Sequence, residues 1–120
     1  MKIIGIVGSR RRDAVEDLNK VYAVFRKIYS PGDTICSGLC PKGGDRFAVV
    51  FSQWENAPTK WFPAEWDKYG KAAGFKRNTD IARESDVLIA CVAPDRTGGT
   101  EDTIKKFIKF HGTKNLFIVD

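Results

Sequence analysis

Histidine occurs once in this 120-residue chain and cysteine three times. The lone His111 completes a helical apolar face with Ile104, Phe107 and Ile108, and its solitude removes His-based triads and zinc sites from consideration. The odd cysteine count shows no framework spacing. Cys36 and Cys40 stand C-x3-C without a second pair nearby, which argues against a metal site and suits a reducing cytoplasm. Long apolar runs are missing as well. The longest, Val87 to Ala93, is strand length, so no membrane span is expected. Met1-Lys2-Ile3-Ile4 enters a strand at once, leaving no room for a signal peptide. Repeats, low-complexity tracts and linkers are absent, and the expectation is one cytoplasmic domain over 1–120 without metal or cofactor.

What is present is ordinary for a globular chain: 42% apolar and 29% charged residues. At this length a core can form without disulfide staples. A net charge of +5 is a mild excess, and its placement says more than its size.

The hydrophobic period alternates regularly between strand and helix. Ile3 to Val7 reads as a buried strand. Asp13 with Glu16 offers a capping box for a helix whose apolar face is Val15, Leu18, Val21, Tyr22, Phe25, Ile28 and Tyr29. Pro31-Gly32-Asp33 ends it before a strand over Thr34 to Ser37. Phe47, Val50, Phe51 and Trp54 give a second helix with Trp54 packed beneath it, and Thr59 to Phe62 a third strand with Trp61 in the core. Pro63 to Gly74 reads as an irregular loop, followed by a helix over Phe75 to Glu84. A strand over Val87 to Val92, a helix over Thr100 to Lys109 and a strand over Leu116 to Val119 complete the chain. This order predicts an α/β, Rossmann-like three-layer sandwich around a five-stranded parallel sheet, with ligands outside the carboxyl ends of the strands.

Three loops fall at that edge. They are Gly8-Ser9-Arg10-Arg11-Arg12, Ser37-Gly38 through Gly43-Gly44-Asp45-Arg46, and Pro94 through Gly98-Gly99-Thr100-Glu101-Asp102. Each combines glycines, hydroxyls and cations and runs into a helix, so free N–H groups and the helix dipole favour an anion there. Arg10, Arg11, Arg12, Lys42, Arg46 and Arg96 are all expected on this edge. Each loop taken singly is equally well a tight βα connection; the three together point to phosphate. The first loop lacks G-x-G-x-x-G, which sets aside an ordinary NAD dehydrogenase. Gly38 to Gly43 has P-loop spacing, but Gly44-Asp45 follows where Lys-Ser/Thr is required.

These loops resemble the SLOG superfamily of Rossmann-like nucleotide-binding proteins, and within it the small YspA-like (cpYpsA-related) branch. The matching stretches are Gly8-Ser9-Arg10, Ser37-Gly38…Gly43-Gly44-Asp45-Arg46-Phe47-Ala48, Trp66…Gly70-Lys71-Ala72-Ala73-Gly74-Phe75-Lys76-Arg77-Asn78 and Gly98-Gly99-Thr100. The resemblance implies strand order 3-2-1-4-5 and a nucleotide-derived ligand, ADP-ribose-like for example. That ligand would be held by Gly8, Ser9, Arg10, Ser37, Gly38, Gly43, Gly44, Asp45, Arg77, Asn78, Gly98, Gly99 and Thr100. Relatives include dimeric phosphoribohydrolases, in which a P-G-G-x-G-T-x-E-E signature and an upstream arginine act. Carried over, Arg77 matches the arginine, and Glu101 and Asp102 stand near the acidic pair, with Glu101 one position early and a shortened glycine run. The DNA-processing protein A family is a further relative and binds single-stranded DNA.

Three functions follow as expectations. The first is a nucleotide-binding module acting as sensor, carrier or regulator. The second is a nucleoside-monophosphate N-glycosidic hydrolase with Arg77, Glu101 and Asp102 catalytic, in which a homodimer is the expected assembly. The third is a single-stranded nucleic-acid binder, for which only Trp66 and Tyr69 offer stacking surfaces in the irregular loop.

Overall fold

Four consecutive buried residues, Ile4 to Val7, place the first strand at the centre of the sheet. In a computed structural model describing residues 1–120, β1 (Ile3–Gly8) is followed by α1 (Val15–Ile28), β2 (Thr34–Ser37), α2 (Gly44–Glu55) and β3 (Thr59–Trp61). Next come α3 (Trp66–Tyr69), a 3-10 turn (Gly70–Ala72), α4 (Ala73–Glu84), β4 (Val87–Cys91), α5 (Gly99–His111) and β5 (Leu116–Val119). All four strand pairings are parallel and the order is β3-β2-β1-β4-β5, as expected of a Rossmann-like sandwich. The order reverses between β1 and β4, where a cleft is left at the carboxyl edge.

Strand alternation sorts the core into two layers. Ile4, Ile6, Ile35, Ile89 and Cys91 face α1 and α2, where Val21, Phe25, Phe47 and Phe51 close over them. Val7, Cys36, Leu88, Ala90 and Val92 face α4 and α5, against Ile81, Ala82, Ile104 and Phe107. Burial pushes the Cys36 thiol up to about 11, so it is inert packing. No helix is long and apolar enough to cross a membrane.

Several local readings are corrected. Asp13 does not cap α1: its carboxylate crosses to the second loop, and Asp17 instead accepts from the Ala14 N–H at 3.2 Å and from Arg12 Nε at 2.6 Å. Trp54 is 56% exposed, lying edge-on to Tyr22 rather than beneath its helix. Val15 and Ile108 likewise turn outward, and His111 is exposed at the end of α5. Residues 66–72, read as loop, form two short helical turns leading into α4.

Asp33, buried at the turn before β2, ties the N-terminus to that turn. It accepts from the Lys2 N–H at 3.0 Å, Lys2 Nζ at 2.7 Å and the Ser30 N–H at 2.9 Å. Burial alone would raise its pKa, but these donors outweigh it and hold the carboxyl below its ordinary value. A depressed native pKa contributes stability that is present above the unfolded pKa and lost as pH falls through the native one. Thermal melts should therefore show stability falling as pH drops below about 4, with Asp33→Asn flattening that fall and lowering stability at neutral pH.

Candidate functional site

The cleft encloses about 320 Å³, the lower end of the range for small-molecule pockets. Val7 and Ile81 supply apolar lining and most of the rest is polar. Three loops build it. From the first come Gly8, Ser9, Arg10 and Arg11; from the second, Cys40 and Asp45; from the third, Thr97, Gly98, Gly99 and Thr100. Arg77 and Asn78 reach in from α4.

Each is placed by local necessity. Gly98 adopts φ +104 and ends the third loop, so α5 starts without a side-chain cap and with nothing near the position a Cβ would occupy. Neither the Gly99 nor the Thr100 N–H has a backbone partner. Arg77 lies along Gly38, where a Cβ would come within 2.6 Å of Arg77 Cδ, so the guanidinium needs a glycine there. Its Nε donates to Asn78 Oδ1 at 3.1 Å and its Nη1 to the Gly38 carbonyl at 3.4 Å, 3.8 Å from Asp45 Oδ2. Nη2 is left without a protein partner.

Asp45 is the buried acid of the site. Ser37 Oγ donates to its Oδ1 at 2.9 Å and the Cys40 N–H to its Oδ2 at 3.0 Å, which folds the second loop back over α2. Burial raises its pKa against the Cys40 N–H, Ser37, Arg77 and Arg10, which pull it down.

Of the residues expected at the site, Gly8, Ser9, Arg10, Asp45, Arg77, Asn78, Gly98, Gly99 and Thr100 line this cleft. Ser37 and Gly38 lie directly behind it, the first holding Asp45 and the second making room for Arg77. Gly43 and Gly44 serve packing: the Gly43 N–H donates to Asp13 Oδ1 at 2.7 Å, and Gly44 abuts the Val7–Gly8 backbone. Glu101 and Asp102 stay outside. Glu101 takes both nitrogens of an Arg96 fork at 2.8 and 3.0 Å, and Asp102 Oδ2 accepts from Asn78 at 3.1 Å and Lys106 at 2.8 Å.

The crowd of cations thins in the same way. Arg11 forks onto Asp95, pulling that carboxyl down to about 2; Arg12 pairs with Asp17, Arg46 with Asp13 and Arg96 with Glu101. Arg10 makes no ion pair and remains free at the mouth, with Arg77 deeper in. Sequence reasoning did not assign Thr97, Cys40, Ile81 or Thr103 to the lining. Thr97, which bridges Arg11 and Asp95, and Cys40 sit in loops already singled out, whereas Ile81 and Thr103 come from the helices, where only the tertiary packing turns them to the cleft. Comparison with protein-family models, curated proteins and solved structures returns no match, so the kinship that stands is one of architecture, a Rossmann-like α/β sandwich of the kind that can hold nucleotides at this edge.

Proposed function

We propose that this chain is a SLOG-like domain that binds a phosphate-bearing, nucleotide-like ligand in the cleft between the carboxyl ends of β1 and β4. One observation carries the reading: the uncapped start of α5, with the Gly99 and Thr100 N–H groups, opens into the same cleft as the unpaired Arg10 and the half-satisfied Arg77. Backbone N–H groups and the helix dipole favour phosphate oxygens, and an arginine fork grips them bidentately. Asp45, an acceptor beside them, suits a ribose hydroxyl. The ligand is a mononucleotide or an ADP-ribose-like molecule, held by a sensor, carrier or regulator.

Gly99→Asp tests this directly. A Cβ at Gly99 meets only Asn78 Nδ2 at 3.7 Å, an ordinary contact, and an acid in the first turn complements the dipole. Stability should hold or rise slightly. Calorimetric binding of ADP, ADP-ribose and sulfate should be lost. Wild-type affinity in this variant would sink the proposal.

Hydrolysis is the less favoured reading, because Glu101 and Asp102 are spent on Arg96, Asn78 and Lys106 outside the cleft. Chromatography of wild-type reactions with nucleoside monophosphates should show no free base, and Asp102→Asn should bind nucleotide within about twofold of wild type, because an amide oxygen still accepts from Asn78 and the side chain stays outside the cleft. Robust base release abolished by Asp102→Asn would install the hydrolase instead.

A further inference from the structure

The cleft offers partners for a phosphate and a ribose but none for the face of a base. No side chain in its lining is aromatic, and its branched aliphatic groups are Val7 and Ile81 alone. A nucleotide base has two flat π-faces, and proteins commonly grip it by stacking.

Beyond Arg77 the surface changes. Ala73, Lys76, Arg77 and Asp80 follow the i, i+3, i+4, i+7 spacing of one face of α4. That face is one wall of a shallow notch of about 20 Å³, and Pro63, Glu65 and Tyr69, from the segment after β3, are the other. Arg77 lines both the cleft and the notch and so forms the partition between them. The half-buried ring of Tyr69 lies between two lysines, with Lys68 Nζ 5.1 Å and Lys76 Nζ 5.2 Å from its centroid. Glu65 makes no ion pair. Asp80 gives one carboxylate oxygen to Arg83 at 2.7 Å and keeps the other unengaged.

Along the sheet edge from β4 to β3, these groups fall in the order of a nucleotide's parts. The anion-binding start of α5 follows β4, Asp45 opens α2 after β2, and the notch lies beside the segment after β3. Taking the cleft as the phosphate and ribose site, we propose that the base lies across Arg77 against Tyr69, and that Glu65 and Asp80 select a base bearing an amino group. The notch is too shallow to engulf a base, so one face packs on Tyr69 and Pro63 while the other stays open. Covering Tyr69 moves the Lys76 ammonium from the ring to the base's edge, where it donates to a ring nitrogen or a carbonyl oxygen. Ionised carboxylates only accept, so the edge facing Glu65 and Asp80 must present N–H groups. Adenine and cytosine bring an amino group, and guanine an amino group beside a ring N–H, a pair that matches the two oxygens of one carboxylate. Uracil brings a single N–H flanked by two carbonyls, which the acids repel.

Calorimetry with ribose 5-phosphate, AMP, GMP and UMP separates the base site from the phosphate site. AMP and GMP should bind wild type about tenfold or more tighter than ribose 5-phosphate, the worth of one stacked base, with UMP about threefold or more weaker than either. Tyr69→Ala should bring AMP and GMP to within about threefold of ribose 5-phosphate, whose own affinity should not change and so reports an intact cleft. The double variant Glu65→Gln/Asp80→Asn should bring UMP level with AMP, because amides donate as well as accept. In wild type with AMP bound, nuclear Overhauser contacts should join the purine protons to the Tyr69 ring. Ribose 5-phosphate binding as tightly as AMP and GMP, or bound AMP without contacts to Tyr69, overturns the base site while the phosphate site stands. UMP equal to AMP in wild type overturns selection by the two acids. No binding of ribose 5-phosphate, sulfate or any of the nucleotides removes the phosphate site, and the base site falls with it.

Discussion

Gly44→Ala is expected to destabilise the protein by about 3 kcal/mol or more, lowering the melting temperature by roughly 10 °C at least. A Cβ at this position would stand 2.2 Å from the Val7 carbonyl carbon and 2.3 Å from the Gly8 nitrogen. Those are backbone atoms of the central strand, held in register by Ala90 and Cys91 of β4, so they cannot move aside. Relief can come only by lifting the start of α2 away, which unseats Phe47, Ala48 and Phe51, all fully buried. Gly74→Ala is the matched control: the nearest atom to its Cβ is the far edge of the Trp66 ring at 3.4 Å, and the position is helical. It should stabilise by about 0.5–1 kcal/mol. Urea denaturation of both variants against wild type measures the contrast. A Gly44→Ala midpoint equal to wild type would mean that α2 does not dock on β1 this closely.

Arg77→Ala is expected to weaken nucleotide binding by about 1.5–3 kcal/mol, roughly ten- to 150-fold in Kd, the worth of a charge-assisted hydrogen bond. The side chain is held from behind by Asn78 and the Gly38 carbonyl, leaving Nη2 for a ligand oxygen. Arg77→Lys keeps the charge but not the planar fork, and should recover only part of the affinity. Asp45 supplies the complementary readout. Its pKa is raised, chiefly by burial, so the folded protein takes up a proton there as pH falls towards the unfolded value, and ionisation above that range sets a negative charge beside Arg77. Sulfate, whose own charge stays constant, should bind more tightly as pH falls through that range. Asp45→Asn should bind sulfate tightly at every pH yet bind nucleotide less well, because a ribose hydroxyl loses its charged acceptor. Arg77→Ala with unchanged affinity for ADP and ADP-ribose would remove the cleft from consideration as the phosphate site.

Much of this architecture was legible from residue order. The switching period marked every strand, with Ile3 to Val7 a short apolar run and Val87 to Val92 rich in β-branched residues. Strand order 3-2-1-4-5 and the edge where the loops gather followed from the family resemblance and the rules for parallel sheets. The short turns at 66–72 escaped because four-residue helices are too brief to show a period, and Trp54 because it stands in the last turn of its helix, where the buried face runs out beyond Phe51.

What the sequence determined by itself was a topology and the composition of three loops, since period and punctuation are local properties of the chain. Which charges are free to act was decided only by tertiary structure. Arg11 and Asp95 lie 84 residues apart in sequence, Arg46 and Asp13 33, and Asp102 meets Asn78 across 24. No spacing rule announces such partners, because a side chain's availability depends on which opposite charge the fold brings within reach. Gly44 and Gly98 make the same point through the backbone: both read as phosphate-loop glycines, yet one is filled by the strand beside it and the other faces open space.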